Sequence, residues 1–593
     1  MQDPIEFYES EKRIFEKEYS SLKKKLATSS TLRLLVFLGT SLGVYFFFNN
    51  TNAVIVIAVL GIAIFLYLIS KHTDLQHKRD LTKALIKINK IELKVLNGDF
   101  FDLDEGKEFI DSNHYYSYDI DLFGRGSFFQ YLNRTVTREG KFELADTLLS
   151  NDISQIEFKQ NGIKELSQMP KWRQQFSAMA SLTKVQYSAN LIVRWIHNYK
   201  PVFPKFISFL PLLFSAISFS LIVLLAFNII NFQVPVIWFF AGLVFSGLYL
   251  KKVNNLYEEA TKAKDTFRQY HHLLDKIETA KFTSLILEEK QQAIQRESQK
   301  ASQIFAQFSK TLDALDQRNN LLIAIVANGF LLRDLKICFK IEKWIQNYKY
   351  QVENWFEDIA FFDAQNTLAN YAFNNPKAVY PKLHKRGSII NATNLGHPLI
   401  KSEERVNNDF NIKQQNFYIV TGANMAGKST FLRTVSISIV MANVGLPVFA
   451  SSFDYAPIKL ITSMRTTDSL ADDESYFFSE LKRLKFIVDT IDPSLSEENY
   501  FIILDEILKG TNSTDKAIGS KKFVTKLVAS NSTGIIATHD LSLCEIEKDL
   551  TQIKNYYFDA EIINNELHFD YKLKEGICKN MNASFLLKKM DIV

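Results

Sequence analysis

The sequence predicts a multi-domain chain, in which helical transmembrane hairpins and an all-α core of long helices precede a C-terminal α/β domain. Three observations predict this fold class. Residues 34–69 and 206–250 contain no Asp, Glu, Lys or Arg. Residues 257–371 follow a helical pattern with one glycine and no proline. Residues 417–440 have the pattern of a strand, a glycine-containing turn and a helix.

Composition limits the function classes. The 593 residues are 47% hydrophobic, which is sufficient for several cores. The net charge of +5, from 70 basic and 65 acidic residues, is too balanced for a dedicated nucleic-acid binder. Cys338, Cys544 and Cys578 are too far apart for a disulfide framework or a C-x-x-C metal site, which favours a reducing compartment. The charged residues 1–25 do not resemble a cleavable signal.

The first apolar block follows a charged amphipathic helix predicted over residues 8–26. Its 36 residues, 34–69, divide at a polar turn, Asn49-Asn50-Thr51-Asn52, into apolar halves of 15 and 17 residues. A membrane-spanning helix needs about 20 apolar residues, with a range of about 17–25. A snorkelling Arg33 extends the first half, so a hairpin over about 32–69 is predicted, with a buried soluble hairpin as the alternative.

The second apolar block, residues 206–250, makes a soluble interpretation less favourable. It contains 45 uncharged residues that break at Asn231-Phe232-Gln233. Pro211 and Pro235 fall near helix starts, and Trp238 and Tyr249 are placed as interfacial aromatics often are. Two such hairpins predict four transmembrane helices in one chain.

Cations flank both hairpins, and neither tip contains Lys or Arg. Cytoplasmic segments next to membrane spans are enriched in Lys and Arg. The sequence therefore predicts a multi-pass membrane protein whose termini and C-terminal domain are cytoplasmic. The flanking cations are Lys23, Lys24, Lys25, Arg33, Lys71, Lys78, Arg79, Lys200, Lys205, Lys251 and Lys252.

A nucleotide phosphate loop is predicted where the strand at residues 417–421 meets a helix. The spacing G-x-x-x-x-G-K-[ST] is satisfied by Gly422, Ala423, Asn424, Met425, Ala426, Gly427, Lys428 and Ser429, with Thr430 next. Glycines allow backbone amides to surround phosphates, and the helix N-terminus adds a positive dipole end. Lys428 is expected near the β- and γ-phosphates and the Ser429 hydroxyl at Mg²⁺.

Two further strands are predicted to deliver polar side chains to this loop. The apolar residues 500–504 end in Asp505 and Glu506, a pair suited to hold Mg²⁺ and to orient or deprotonate the attacking water. Residues 534–538 deliver His539 at the end of another strand. Ligands of open α/β sheets bind at the carboxyl ends of strands, so His539 is expected near the γ-phosphate.

The motifs TGANMAGKSTFLRTV, DSLADDESYFFSEL, FIILDEILKGTNSTD and ATHD, in this order, resemble the ATPase domain of the MutS family, which belongs to the ABC-type ATPases. FFDAQNTLANYAF and GHPLI resemble the junction between that family's helical core and its ATPase. The resemblance covers roughly residues 113–593 apart from the second hairpin. Domains are accordingly predicted at 1–112, 113–380 and 381–593: the N-terminal helices, the interrupted helical core, and an ABC-type ATPase.

The resemblance implies an ATPase that uses ATP and Mg²⁺. Residues Gly422 to Thr430 would bind the phosphates, Ser429 and Asp505 the metal, and Lys428, Glu506 and His539 would serve catalysis. Ser475 matches the family's signature segment, which completes the partner's site and implies a homodimer through the ATPase domains. Here the sequence departs from the family, because Asp473 and Glu474 stand where Gly and a basic residue are usual.

The resemblance also implies a DNA-related role, although mismatch specificity is in doubt. Neither a mismatch-reading domain nor a DNA clamp is recognisable, and the second hairpin lies near the clamp's expected position. DNA affinity depends on clustered Lys and Arg at phosphates, and the cations here are largely beside the membrane or balanced by acids. Two functions stay open: a membrane-anchored MutS-like ATPase that engages DNA or a repair partner, and an ATP-driven membrane signalling, remodelling or transport protein without DNA.

Overall fold

The computed structural model describes residues 3–183, 185–295, 299–385, 387–423, 425–465, 476–492, 498–509, 511–530, 532–563 and 566–578. Helices fill the first 374 residues, and an α/β region follows, so the predicted all-α plus α/β class is confirmed. The helices are α1 (Pro4–Phe46), α2 (Thr51–Leu96), α3 (Phe128–Leu132), α4 (Arg138–Leu149), α5 (Ile156–Ser167), α6 (Pro170–Ser181), α7 (Ala189–Asn198), α8 (Leu210–Ala226), α9 (Gln233–Leu248), α10 (Leu250–Glu278), α11 (Leu285–Ile294), α12 (Ala301–Asp316), α13 (Leu321–Leu331), α14 (Arg333–Tyr348), α15 (Gln351–Asn374), α16 (Lys428–Asn443), α17 (Tyr476–Thr490) and α18 (Ser513–Ala529).

The strands form a six-stranded sheet, a four-stranded sheet and a short hairpin. They are β1 (Lys382–Leu383), β2 (Ser388–Leu395), β3 (Asn408–Lys413), β4 (Phe417–Gly422), β5 (Ser452–Tyr455), β6 (Lys459–Ser463), β7 (Tyr500–Asp505), β8 (Thr533–Ala537), β9 (Ile553–Phe558), β10 (Glu561–Ile563), β11 (Glu566–His568) and β12 (Leu573–Glu575). The large sheet has the order β12-β9-β4-β8-β7-β6, parallel except for β12. Strand β4 is buried along its whole length.

The first apolar block forms the tip of a long antiparallel hairpin, α1–α2, of 43 and 46 residues. The predicted amphipathic and apolar parts of each arm join without a break. At the polar turn, the side chain of Asn50 caps α2 by accepting a hydrogen bond from the Ala53 amide (3.2 Å). Apolar side chains of this tip face outward, with Leu35 59% and Phe46 76% exposed.

Within the described part of the chain, two helices, α1 and α2, are long and apolar enough to cross a membrane, and the count rises to three if α9 and α10 form one span bent by 62°. The prediction of four transmembrane helices is therefore wrong in number. Helix α8 has 17 residues and α9 has 16. Asn228 takes a left-handed backbone just beyond α8, with φ +55°, and the chain bends between α9 and α10, so these apolar segments are short.

The sequence predicts α13 as part of the helical core, but in the structure this apolar helix packs against α8 and α9 of the second apolar block. The indole N–H of Trp238 donates to Ser218 Oγ (2.8 Å), which lies 2.6 Å from the carbonyl oxygen of Phe330. A Cβ at Gly242 would lie 2.2 Å from the Gly329 carbonyl, so α9 and α13 are in backbone contact. We call α8, α9 and α13 the apolar three-helix cluster; its outer surface includes Leu321, 70% exposed, and Leu322, 77% exposed.

The α1–α2 hairpin is fixed to the core through α6. The Asn89 and Gln174 amides exchange hydrogen bonds, of which the shorter is 3.0 Å. His77, twelve residues nearer the apolar tip, lines a cavity with Met179. From the Asn89–Gln174 contact to the cavity that His77 and Met179 line, residue numbers fall along α2 and rise along α6. The two helices are therefore antiparallel.

Helix α6 is also antiparallel to α10. Trp172 Nε1 donates to the Lys276 carbonyl (3.3 Å), and Gln269 Nε2 donates to the Ala180 carbonyl (2.6 Å). Helices α2 and α10 therefore run in the same direction, and each begins at an apolar end. The α1–α2 tip and the three-helix cluster consequently project from the same end of the helical body.

Two segments of the helical body, one before α3 and one between α4 and α5, are attached to the edge of the large sheet. The Asp119 carboxylate accepts hydrogen bonds from the Thr462 hydroxyl (2.5 Å) and the Arg465 amide (2.8 Å). The Asn151 side chain pairs with both the amide and the carbonyl of Leu460, each at 2.9 Å. The helical body and the sheet are therefore connected at the β6 edge as well as through the chain itself.

Candidate functional site

The predicted phosphate loop lies between β4 and α16. Gly422 has φ +143°, and a Cβ there would lie 2.6 Å from the Phe558 carbonyl oxygen. Gly427, with φ +103°, directly precedes Lys428, the first residue of α16. A side chain at Gly422 would clash with the Phe558 carbonyl, and the left-handed backbone at Gly427 favours glycine. Both positions therefore require glycine. Met425 is 78% exposed at the tip of the loop. Asn424 lies outside the described residues.

Lys428 bends back over its own loop. Its Nζ donates to the carbonyl oxygens of Gly422 (2.9 Å) and Ala423 (3.0 Å) and lies 3.3 Å from His539 Nε2. Burial lowers the pKa of Lys428, and the nearby Asp505 and Glu506 oppose that shift. The ammonium group is therefore positioned at the mouth of the loop, close to both carboxylates.

Ser429 and Asp505 form a pair of oxygen donors beside the loop. The Ser429 hydroxyl donates to Asp505 Oδ2 at 2.6 Å. Burial raises the pKa of Asp505, and the Ser429 hydrogen bond opposes this. Mg²⁺ prefers six oxygen ligands and usually keeps several waters together with one or two protein groups and phosphate oxygens. The pair fits that requirement. Among the described residues no cluster of three or more metal-ligating side chains occurs.

Glu506 follows β7 in an unusual backbone conformation, with φ +52°. Its amide donates to the Ala537 carbonyl at 2.9 Å, which fixes the residue beside the end of β8. The carboxylate lies 2.8 Å from His539 Nε2 and 3.4 Å from Lys509 Nζ. The hydrogen bond from His539 is the main cause that lowers the pKa of Glu506 to about 2. Glu506 is therefore ionised at neutral pH.

The parallel sheet explains why these residues meet. Ala537 on the central strand β8 pairs with Val420 of β4 and with Asp505 of β7. The next residues of all three strands consequently emerge at one edge, which is where ligands bind in open α/β sheets. The structure thus brings Lys428, Ser429, Asp505, Glu506 and His539 together, as the sequence predicted.

Glu480 on α17 supports the site and was missed by the sequence analysis. Its carboxylate accepts hydrogen bonds from the amides of Leu508 and Lys509, the latter at 3.1 Å. The residue is 3% exposed, and burial raises its pKa. Leu508 has φ +58°. Glu480 therefore holds the turn that follows Glu506; the only sequence signal was an acid on the apolar side of an amphipathic helix.

A cavity of about 650 Å³ adjoins the phosphate loop. His397, Arg405, Asn408 and Tyr571 line it together with Lys428 and Ser429. Burial lowers the pKa of His397 to about 4, with Arg433 and Arg405 contributing, so this imidazole is neutral at physiological pH. The volume lies within the range of about 300–1,000 Å³ that small-molecule pockets show. Sequence analysis noted His397 only within the GHPLI motif.

The predicted signature segment cannot be placed, because Ser475, Asp473 and Glu474 lie outside the described residues. The helix that follows them, α17, is anchored to the segment before α3 and to strand β6. The Arg483 guanidinium donates to the carbonyl oxygens of Tyr115 and Thr462, both at 2.7 Å.

Comparison with known proteins agrees with the resemblance found in the motifs. Residues 418–588 match the family model described as MutS domain V. The human MutS protein homolog 4 is 30% identical over 199 residues, which are 31% of this chain and 20% of that protein. The DNA mismatch repair protein MutS of Finegoldia magna is 28% identical over 299 residues, 49% of this chain and 32% of that protein. The MutS of Aquifex pyrophilus is 30% identical over 209 residues, 34% and 23% of the two chains. The matches thus span about a fifth to a third of the length of these relatives.

Proposed function

The chain is related to the MutS family through its domain V, and we propose that it is a membrane-anchored, Mg²⁺-dependent ATPase. One observation carries the proposal: His539 Nε2 lies 2.8 Å from Glu506 and 3.3 Å from Lys428, at the mouth of the phosphate loop. A cation, an ionised carboxylate and an imidazole thus meet where the loop and helix α16 would hold the terminal phosphate.

Each residue has a role that follows from its position. The amides from Gly422 to Thr430 bind the phosphates. Lys428 exchanges its loop carbonyls for phosphate oxygens, because these are stronger acceptors for an ammonium group. Ser429 and Asp505 would hold Mg²⁺, which would supply charge neutralisation for the phosphates.

Glu506 orients the attacking water and accepts its proton. A carboxylate with a pKa of about 2 is a weak base, so its hydrogen bond with His539 has to open for proton transfer. His539 then turns toward the γ-phosphate. In this scheme the Glu506–His539 pair couples the presence of the γ-phosphate to release of the base.

We also propose a homodimer with composite sites. Support comes from the position of α17, which directly follows the segment containing Ser475 and is tied through Glu480 to the turn after Glu506. A partner's triphosphate approaching Ser475 would therefore be sensed at the catalytic carboxylate. The acidic residues Asp473 and Glu474 would oppose that approach unless a cation screens them.

Membrane anchoring is proposed through the α1–α2 tip, with the apolar three-helix cluster inserting from the same side. Large apolar side chains on both surfaces are exposed, and contiguous apolar patches of this kind mark membrane or partner contacts. The two surfaces project from one end of the helical body, as one bilayer would require. The cations that flank both apolar blocks support an orientation in which the ATPase domain and the termini are cytoplasmic.

A role related to DNA mismatch repair is proposed at the level of the family only, since the relatives named for that process match a limited part of the chain. A second candidate is an ATP-driven membrane protein without DNA. The apolar three-helix cluster favours this second candidate. The cluster lies at the N-terminal end of the long helix α10, and its exposed hydrophobic surface is suited to contact with lipid and not with a DNA phosphate backbone.

The two candidates are separated by one experiment on the full chain in detergent. ATPase activity is measured with and without homoduplex, mismatched and branched DNA across a salt series, with Lys428→Ala as the inactive control. Binding to DNA whose affinity falls steeply with salt supports the first candidate. ATP hydrolysis without any salt-dependent DNA binding, with or without nucleotide, supports the second. Equal hydrolysis by Lys428→Ala would refute the ATPase proposal itself.

A further inference from the structure

A cavity of about 500 Å³ lies at the foot of the apolar three-helix cluster and is separate from the nucleotide site. Helix α7, the start of α10 and the segment between α7 and α8 form its walls, so we call it the α7–α10 cavity. Val202 lies shortly before α8 begins at Leu210, and Lys252 lies shortly after α9 ends at Leu248. The cavity is therefore located where the helical body meets the apolar cluster.

The segment between α7 and α8 is held in place by a buried carboxylate. Glu342 on α14 is only 2% exposed. Its carboxylate accepts hydrogen bonds from the Tyr199 hydroxyl (2.8 Å) and from the amides of Val202 (2.6 Å) and Phe203 (3.3 Å). Lys252 Nζ in turn donates to the Val202 carbonyl oxygen at 3.2 Å. Because a buried carboxylate without these partners would be costly, this wall of the cavity is fixed before any ligand binds.

The charges around the cavity favour an anion. Three cations line it from different segments: Arg194 on α7, Lys200 just after α7, and Lys252 on α10. Among the described residues, Arg194 and Lys200 have no ion-pair partner. The carboxylate that lines the cavity, Glu259, already pairs with Lys262 at 2.7 Å. A guanidinium group and two ammonium groups around one cavity are suited to bind a phosphate group.

The aromatic and apolar lining places the cavity at the level of lipid headgroups. The rings of Trp195 and Tyr199 lie 6.2 Å apart, and Leu191 is 57% exposed beside them. Trp and Tyr are enriched at the headgroup level of membrane proteins. Because a helix rises about 1.5 Å per residue, Lys252 lies within about 6 Å of Leu248, the last residue of α9. That distance is about the thickness of the headgroup layer on one side of a bilayer.

We propose that the α7–α10 cavity binds the phosphate headgroup of an anionic phospholipid from the leaflet in which the three-helix cluster inserts. The site depends on the proposed membrane anchoring, to which it adds a lipid class. Arg194 and Lys252 contact the phosphate from two helices, while Leu191 and Trp195 contact the adjoining carbon atoms. A zwitterionic lipid is a poorer ligand, because its ammonium group is repelled by the same cations. Basic pockets beside membrane helices on the cytoplasmic side bind anionic headgroups in this way.

Native mass spectrometry of the full chain in detergent counts the lipids that stay bound. The protein is titrated with dioctanoyl phosphatidylglycerol, with dioctanoyl phosphatidylcholine and with glycerol phosphate, which has no acyl chains. We expect phosphatidylglycerol to bind at least fivefold more tightly than phosphatidylcholine, because only the former has a net negative charge. Glycerol phosphate should bind at least tenfold more weakly than phosphatidylglycerol, because it lacks the apolar contacts. Equal binding of either competitor would overturn the proposal.

Two double variants with the same change in charge test the position of the site. Arg194→Gln with Lys252→Gln removes two lining cations. Lys205→Gln with Lys251→Gln removes two exposed cations that flank the same apolar block but do not line the cavity. General attraction to an anionic surface falls equally in both variants. The lining pair should weaken phosphatidylglycerol binding at least tenfold and the control pair less than threefold, whereas an equal loss would show a diffuse surface charge and refute the site.

Extraction of membranes with alkaline carbonate separates failure of this site from failure of anchoring. The wild type and both double variants should stay in the membrane, because their apolar helices are unchanged. Retention of all three, together with equal lipid binding by the two variants, would refute the lipid site alone. Extraction of the wild type would refute anchoring and the lipid site with it. Displacement of phosphatidylglycerol by short duplex DNA would assign the cavity to nucleic-acid phosphates and likewise overturn the proposal.

Discussion

Glu480→Gln tests how Glu506, the proposed catalytic carboxylate, is held in place. Glu480 is 3% exposed and accepts the amide hydrogens of Leu508 and Lys509 through its two oxygens. Glutamine has nearly the same shape but only one carbonyl oxygen, so one of the two amides would face an NH₂ group. The substitution therefore removes one hydrogen bond to a buried charge and leaves an amide unpaired, without creating a cavity.

The size of the effect follows from those contacts. An unpaired buried donor costs about 1–3 kcal/mol, and the turn is already unfavourable, since Glu506 and Leu508 both take left-handed backbone conformations. If half of that cost, about 0.5–1.5 kcal/mol, appears as displacement of Glu506, kcat falls about two- to tenfold, because each tenfold change corresponds to about 1.4 kcal/mol. The KM for ATP should stay within about threefold, since Lys428 and Ser429 are untouched.

Steady-state ATPase assays and thermal unfolding of the full chain measure both effects. Asp489→Asn is the control, because Asp489 lies on the same helix but is half exposed and pairs only with Lys485. We expect a loss of kcat and a lower unfolding midpoint for Glu480→Gln, and neither for Asp489→Asn. Wild-type kcat and stability in Glu480→Gln would refute the argument that this residue positions Glu506.

Three further predictions concern the metal, pH and the membrane. Asp505→Asn should raise the Mg²⁺ concentration for half-maximal ATPase activity at least tenfold; an unchanged Mg²⁺ dependence would contradict its role. Because the pKa of His397 falls from about 6.5 to about 4 on folding, the unfolded chain binds a proton that the folded chain does not, and stability is lost as pH falls through that window. Between pH 7.5 and 5.5, the free energy of unfolding, measured with denaturant, should fall by about 1.4 kcal/mol less in His397→Gln than in the wild type. An equal fall in the two proteins would contradict this prediction. Val59→Lys, at a 61% exposed position of the α2 tip, should increase extraction from membranes by alkaline carbonate, whereas Lys87→Gln should not; equal extraction of the two variants would count against insertion of the tip.

The edge of the sheet where the candidate site lies was predictable from the sequence because each element there is local. Strand β4, its glycine turn and Lys428 are consecutive, and Asp505 and His539 follow apolar runs of strand length. Parallel strands bring their carboxyl ends to one edge, so the convergence of three separate motifs required no knowledge of long-range contacts. The Asn49–Asn52 turn was predictable for the same reason, since a polar break between apolar runs is a local signal.

The features that the sequence analysis missed depend on contacts between distant segments. Glu480 has a role only because α17 packs beside the turn after β7. Helix α13 has 11 residues, too few to stand out as a membrane element, and it is recognised by its contacts with Gly242 and Ser218. The number of helices that could cross a membrane was overestimated because the prediction counted uncharged residues. The helices themselves are shorter than the uncharged segments, since α8 ends at Ala226 and α9 at Leu248.

Glu506→Gln is the most direct test of the central claim that Glu506 activates water at a phosphate loop held by Lys428. Bound nucleotide is separated from the full chain after single-turnover incubation with radiolabelled ATP and Mg²⁺, and the ATP to ADP ratio is determined. We expect Glu506→Gln to bind ATP with near wild-type affinity, to hydrolyse it at least a hundredfold more slowly and therefore to retain intact ATP. Turnover at the wild-type rate in this variant would contradict the assignment.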